Sequence, residues 1–134
     1  MTLMTFGLAL LAMQGAGVPA PTYTNVATAE DGTVYAVDTA QIRQRMNDGA
    51  PLRTASVRVT FSPTANAGTA EVVRGYRIRC GAATAALHTT LSTERGTGRV
   101  SMASTKLAEL DYRQINAMDP AEKSAIAYIC AAPL

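Results

Sequence analysis

Three arginines on two neighbouring predicted strands are the residues of this chain best suited to binding a ligand. Arg58, Arg77 and Arg79 alternate with apolar residues and therefore project from one polar face of a hairpin, with Arg53 near its end. Guanidinium groups bind carboxylate, sulfate and phosphate oxygens through paired hydrogen bonds, so the pattern indicates an anion-binding face. The alternative, which the residues by themselves favour, is that these arginines provide solubility and protect the sheet edge, with Glu71 and Glu94 partly balancing their charge.

His88 is the only histidine of the chain. A hydrolase that used it would also need a nucleophile and an acid that orients the imidazole, and no acid stands at close spacing. A distant carboxylate such as Asp38 or Glu71 would have to meet His88 in the fold. The serine-elbow and phosphate-loop motifs are both missing from the sequence. We therefore predict a protein that is not an enzyme, with a small periplasmic hydrolase that uses His88 as the alternative.

Residues that bind metals are few. Two cysteines and one histidine cannot form a structural zinc site of cysteine and histidine alone, which takes four ligands. Glu109 and Asp111 are close in sequence, as are Asp119 and Glu122, but neither pair has the spacing of a calcium loop. The first pair is typical of a solvated loop and the second of a helix start. No metal ion and no cofactor is predicted.

The N-terminal segment resembles a secretory signal peptide. An uncharged stretch over residues 3–16 has an apolar centre that is too short to span a bilayer. Small residues follow, and the predicted signal peptide covers residues 1–20, with cleavage between 16 and 21. No cysteine lies near the candidate cleavage region, so we expect no lipid anchor. The alternative is a buried N-terminal helix.

Cys80 and Cys130 are the only two cysteines. An exported chain with an even number of cysteines is normally bridged, which favours a structural disulfide. The alternatives are two buried thiols or a redox pair. Redox pairs usually have the Cys-x-x-Cys spacing, which is missing here.

Length and composition limit the possible architectures. The chain has 134 residues, of which 48% are hydrophobic and 16% are charged, so we expect one packed domain over residues 21–134. The net charge of +2 is too small to indicate nucleic acid by itself. The arginine face also lacks interleaved aromatic residues on which bases could stack. We therefore expect no nucleic-acid partner.

Alternating apolar and polar residues predict an antiparallel sheet. An Asp-Gly pair at 31–32 predicts a hairpin between two short strands, and residues 47–51 are predicted to form a polar loop. The later strands are predicted at residues 52–61, 72–80, 84–92 and, more weakly, 99–103. In the strand over 84–92 we expect Leu87 and Leu91 to face the core and His88 to face solvent.

The periodicity changes near the C-terminus. Asp119, Pro120 and Glu122 form a helix start with an N-cap, a proline at the first position and a capping glutamate. An apolar stripe at helical spacing follows, made of Ala125, Ile126, Ile129 and Cys130. The predicted fold class is therefore α+β, with an antiparallel β-sheet of about five to six strands and a C-terminal helix clamped by one disulfide.

This arrangement resembles the surface-adhesin protein E-like family of small exported bacterial domains. The resemblance is carried by DGTVYAVD at 31–38 with Ile42, by the strand at 55–61, by the strand that ends at Cys80 and by the final Tyr128-Ile129-Cys130. It covers residues 24–130, although the chain has no tryptophan and lacks the adhesin's lipid-anchoring cysteine. The resemblance implies an antiparallel sheet with a helix and a Cys80–Cys130 disulfide. It implies adhesion to host matrix proteins less directly, since a shared fold does not carry function with it.

We therefore predict a non-catalytic exported domain, periplasmic or secreted, with no transmembrane segment in the mature chain. Its expected partner is a protein or an anionic polymer that binds the face formed by Arg58, Arg77 and Arg79. The remaining alternative is a structural subunit of the cell envelope that pairs through an exposed sheet edge.

Overall fold

The computed structural model of the protein describes residues 20–134. The predicted signal peptide, 1–20, lies outside the described residues except for Ala20. The described residues form eight strands and one α-helix, besides short 3-10 turns. The strands are β1 (Tyr23–Thr28), β2 (Val34–Asp38), β3 (Arg43–Asn47), β4 (Ala50–Thr60), β5 (Thr69–Arg79), β6 (Thr84–Glu94), β7 (Val100–Ser104) and β8 (Arg113–Gln114), and the helix is α1 (Pro120–Ala131).

All strand pairs are antiparallel and belong to one sheet in the order β1-β2-β4-β5-β6-β7. β2 and β3 both pair with β4, and β7 and β8 both pair with β6. The prediction of five to six strands is therefore too low, because two positions of the sheet are each occupied by two short strands with a turn between them. With a single helix, the described fold is mostly β-sheet, and the α+β class fits it only loosely.

Two Asp-Gly turns define the first hairpins. At Gly32 the backbone φ is +88°, and the Asp31 carboxylate accepts a hydrogen bond from the Thr33 amide at 2.9 Å, as expected for the predicted hairpin. The loop predicted at 47–51 is instead a tight turn between β3 and β4. Asp48 and Gly49 have φ of +50° and +79° there, the backbone that a two-residue hairpin needs.

β6 contains a bulge that the sequence pattern does not reveal. Leu87 pairs with Tyr76 and Thr89 pairs with Gly75, so His88 is the extra residue between two regular pairs. The bulge reverses the alternation beyond it and places Leu91 on the face opposite to Leu87. The expectation that both leucines face the core is wrong, because they are 42% and 40% exposed.

Helix α1 packs across one face of the sheet, against β1, β2 and β4. Asp119 caps it as predicted, accepting from the Ala121 amide at 3.2 Å, and Pro120 opens the first turn. The stripe of Ala125, Ile126 and Ile129 is at most 1% exposed, as the helical spacing predicts. These residues meet the apolar side chains of β2, β4 and β5 in the core.

The predicted Cys80–Cys130 disulfide is present, with the two Cα atoms 5.8 Å apart. Cys80 follows β5 directly, and Cys130 lies in the last turn of α1. The bond therefore attaches the end of the helix to the end of a central strand.

Candidate functional site

The three predicted arginines lie on the face of the sheet opposite to α1, which we call the open face. Directly opposed residues of antiparallel strands point to the same side. Arg58 is opposite Val73, and Arg77 is opposite Thr54. These four residues alternate along β4 and β5 with the residues that face the helix. The arginines of the two strands are thus on one face, as predicted. They do not oppose each other, because Arg77 lies four positions beyond Val73 along β5.

Arg58 stacks on a tyrosine from the edge strand. Its guanidinium carbon lies 4.3 Å from the ring centroid of Tyr23 in β1. Such cation–π contact stabilises the charge and fixes the plane of the guanidinium. The Nε atom of Arg58 is buried without a hydrogen-bond partner among the described residues. Burial also raises the pKa of the Tyr23 hydroxyl, and the nearby Asp38 charge raises it further.

A second tyrosine holds the other two arginines. The guanidinium carbon of Arg79 lies 3.7 Å from the ring centroid of Tyr112, and Arg77 Nε donates to the Tyr112 hydroxyl at 3.4 Å. Tyr112 directly precedes β8, in the segment predicted as a solvated loop. The expectation that this face lacks aromatic residues is therefore wrong, because Tyr23 and Tyr112 come from distant parts of the chain and no local spacing reveals them.

Among residues 20–134 no carboxylate oxygen lies within 4.0 Å of these arginines, although Asp38 and Glu71 lie near the Tyr23 ring on which Arg58 stacks. Within residues 20–134 the one ion pair with nitrogen and oxygen within 4.0 Å is Arg74–Glu122, at 3.9 Å, on the helix side of the sheet. Arg77 is only 7% exposed and still has no acidic partner there. A buried guanidinium normally has a carboxylate or several carbonyl oxygens beside it. The open face therefore carries positive charge that the described residues leave available to an anion.

A depression of about 320 Å³ lies in the middle of the open face. Its polar lining consists of Gln41, Arg43, Thr54, Ser56, Arg77 and His88, and we call it the Arg77 pocket. Gly75 lies in the same wall. The turn that contains Gln41 overhangs β4 because Asp38 caps it, accepting from the Thr22 amide at 3.0 Å and the Ala40 amide at 3.2 Å.

His88 does not meet either of the carboxylates considered for it. Its imidazole has no acidic oxygen within 4.0 Å among residues 20–134. Asp38 is instead engaged with the two main-chain amides, and Glu71 pairs across the sheet with Thr60 and Thr93. The bulge places His88 in the Arg77 pocket beside arginine rather than beside an acid.

The helix side of the sheet contains a separate polar cluster. Tyr76 donates to Glu122 Oε2 at 2.5 Å, and the same oxygen accepts the ion pair from Arg74. Burial raises the pKa of Tyr76 above its ordinary value, and the hydrogen bond to Glu122 raises it further. These residues and Arg113 line a cleft of about 530 Å³ between the sheet and the N-terminal end of α1.

Protein-family models, curated proteins and solved structures contain no match to this chain. Over residues 20–134, no helix is both long enough and apolar enough to cross a membrane. The same residues contain no group of three or more acidic, cysteine or histidine side chains placed to hold a metal ion.

Proposed function

We propose that this protein is a non-catalytic binding domain of the surface-adhesin E-like type that attaches to an anionic polymer through its open face. The ligand contacts are Arg58, Arg77 and Arg79. The observation that carries the proposal is that tyrosine rings hold these guanidinium groups in place while no described carboxylate lies within 4.0 Å of them.

The spacing of the arginines favours an extended ligand over a single small ion. Arg58 and Arg77 are offset by four positions along the strands, which corresponds to about 13 Å. One small anion cannot bridge that distance, whereas a polymer with regularly spaced sulfate, phosphate or carboxylate groups can. Guanidinium groups that are already oriented lose little side-chain entropy when such a ligand binds.

We place the protein outside the cytoplasm, in the periplasm or the extracellular space. The Cys80–Cys130 disulfide supports this location, since such bonds persist in oxidising compartments. The apolar segment near the N-terminus, with the features of a signal peptide, supports it as well.

Binding of a sulfated polysaccharide such as heparin tests the proposal. Wild-type protein should bind at low ionic strength, and the affinity should fall steeply as salt is added because screening weakens contacts between charges. Replacing Arg58, Arg77 and Arg79 together by serine should lower the affinity by at least about tenfold. The matched control replaces Arg99, Arg113 and Lys123, three exposed cations elsewhere, and removes the same charge.

The comparison of the two triple variants decides the outcome. If both lose affinity equally, net charge rather than the open face causes binding, and the proposal is wrong. Because Arg77 is buried, the double variant Arg58→Ser, Arg79→Ser provides a second test in which Arg77 remains in place. Unchanged heparin binding by that folded variant would also contradict the proposal.

A further inference from the structure

The Arg77 pocket has the polar groups of a site for one oxyanion. Its lining combines the cations Arg43 and Arg77 with the hydroxyls of Thr54 and Ser56 and the imidazole of His88, and it includes no carboxylate. Hydroxyls and guanidinium groups donate hydrogen bonds, so their convergence on a space without acids favours an acceptor with several oxygens.

The burial of Arg77 is the strongest single indication. The residue is 7% exposed, and its Nε makes only the long 3.4 Å hydrogen bond to Tyr112. Its Nη1 and Nη2 atoms donate to no other residue of the described part of the chain. The side chain as a whole is buried, but these two atoms are not sealed from solvent, so an oxyanion in the pocket would replace water as their acceptor.

The rest of the pocket is arranged around the same space. Arg43 is held at the rim, where its Nη1 donates to the Ala40 carbonyl at 3.2 Å and its Nη2 to Gln41 Oε1 at 3.3 Å. That contact orients the Gln41 amide, and the Nε2 atom is buried without a partner in residues 20–134. Gly75 also lines the pocket, and the Thr89 hydroxyl lies where a side chain at Gly75 would be.

We propose that the Arg77 pocket binds one tetrahedral oxyanion, a sulfate or phosphate group. The group is either a free inorganic ion or a substituent of the polymer that the open face binds. The inference rests on the proposed function in that Arg77 belongs to both sites, and it adds the chemical class of the bound group, an anion with several acceptor oxygens.

Titration with inorganic sulfate and phosphate, monitored by NMR, tests this assignment in the disulfide-bonded protein. The Nε–H resonance of Arg77 and the imidazole resonances of His88 should shift and saturate. Sodium chloride at matched ionic strength should leave them unchanged. Shifts that do not saturate, or equal shifts with chloride, would overturn the proposal because they would reflect general screening.

Two variants locate the ion. Ser56→Asp places a carboxylate in the pocket, where it competes for Arg77, and should weaken sulfate binding by at least about tenfold. The matched control is Ser101→Asp, an equal charge change at an exposed position of β7, which should stay within about twofold. Thr54→Val removes one hydroxyl without adding charge and should weaken binding several-fold, which keeps the test valid if Ser56→Asp does not fold. Equal affinities for Ser56→Asp and Ser101→Asp would overturn the assignment.

The pocket and the polymer face fail in distinguishable ways. Heparin binding without saturable sulfate or phosphate shifts would overturn the pocket and leave the polymer proposal in place. Saturable shifts without heparin binding would overturn the polymer proposal and leave the pocket in place. The Arg77 resonance also shows whether inorganic sulfate and heparin compete for the pocket. If they compete, the polymer supplies the bound group. If they do not compete, the pocket holds the free ion.

Discussion

Arg53 Nη1 donates a hydrogen bond of 2.6 Å to the carbonyl oxygen of Ile129, in the last turn of α1. The same nitrogen donates to the Ala132 carbonyl at 2.8 Å, and Nε donates to Gln44 Oε1 at 2.9 Å. A cation that meets the free carbonyls of a helix C-terminus stabilises that end of the helix. Arg53 therefore attaches α1 to β4 beside Cys130, and it does not belong to the open face.

Replacing Arg53 by alanine should lower the free energy of unfolding by about 1.5–3 kcal/mol, because it removes charged hydrogen bonds at a partly buried site. Arg53→Lys should retain part of the stability, since an ammonium group keeps the charge but not the planar geometry. Arg45→Ala, at an exposed position of β3, is the control and should change stability by less than about 0.5 kcal/mol. Urea denaturation measures all three, and equal effects of Arg53→Ala and Arg45→Ala would contradict this role.

The position of Arg53 shows where local patterns stop being informative. Alternation along a strand predicts that Arg58 and Arg77 share a face, and the structure agrees. Arg53 has the opposite parity, and its role depends on Ile129, 76 residues away in the chain. The sequence alone does not reveal such a contact, because it depends on how the helix crosses the sheet.

Other differences have similar physical causes. β3, with the sequence RQRMN, shows no apolar alternation because most of it is exposed, and Pro51 argues against a strand at the start of β4. The Asp-Gly pair at 48–49 was the available signal for this hairpin. The bulge at His88 depends on the register of β6 against β5, which the composition of β6 does not encode. Capping residues, in contrast, act within a few positions, and the start of α1 was predictable for that reason.

Reduction of the disulfide should destabilise the domain by about 4 kcal/mol, because Cys80 and Cys130 are 50 residues apart and their bond restricts the unfolded chain. Denaturant midpoints measured with and without a reducing agent test this value. The variant with both cysteines replaced by serine should match the reduced protein and should not respond to the reductant. A wild-type midpoint that is insensitive to reduction would contradict the prediction.

Tyr76 should make stability depend on alkaline pH. Burial and the hydrogen bond to Glu122 raise its pKa in the folded state above the unfolded value of about 10. The folded form therefore holds the proton more tightly, so this stability is present below pH of about 10 and is lost as the pH rises further. Tyr76→Phe should reduce that alkaline loss, although burial of Tyr23 and Tyr35 leaves part of it.

Tyr76→Phe should also lower the free energy of unfolding at neutral pH by about 1.5–3 kcal/mol, since it removes a hydrogen bond to a charged partner. The control is Tyr128→Phe, because Tyr128 is 39% exposed on α1. Urea titrations between neutral and alkaline pH distinguish the two variants. The same alkaline slope in Tyr76→Phe and wild type would show that Tyr76 is not the titrating group.

Gly75 is required by its neighbour across the β5–β6 pair. A β-carbon at this position would collide with the Thr89 hydroxyl, whereas one at Gly81 would meet nothing within 4 Å. Gly75→Ala should therefore destabilise the protein by about 1–3 kcal/mol, and Gly81→Ala serves as the control. In a Thr89→Ala background the penalty should shrink by at least about 0.5 kcal/mol, because the colliding atom is gone. A double-mutant cycle from urea denaturation measures this coupling. Strictly additive effects would show that the close approach of Gly75 to Thr89 does not determine the residue at this position.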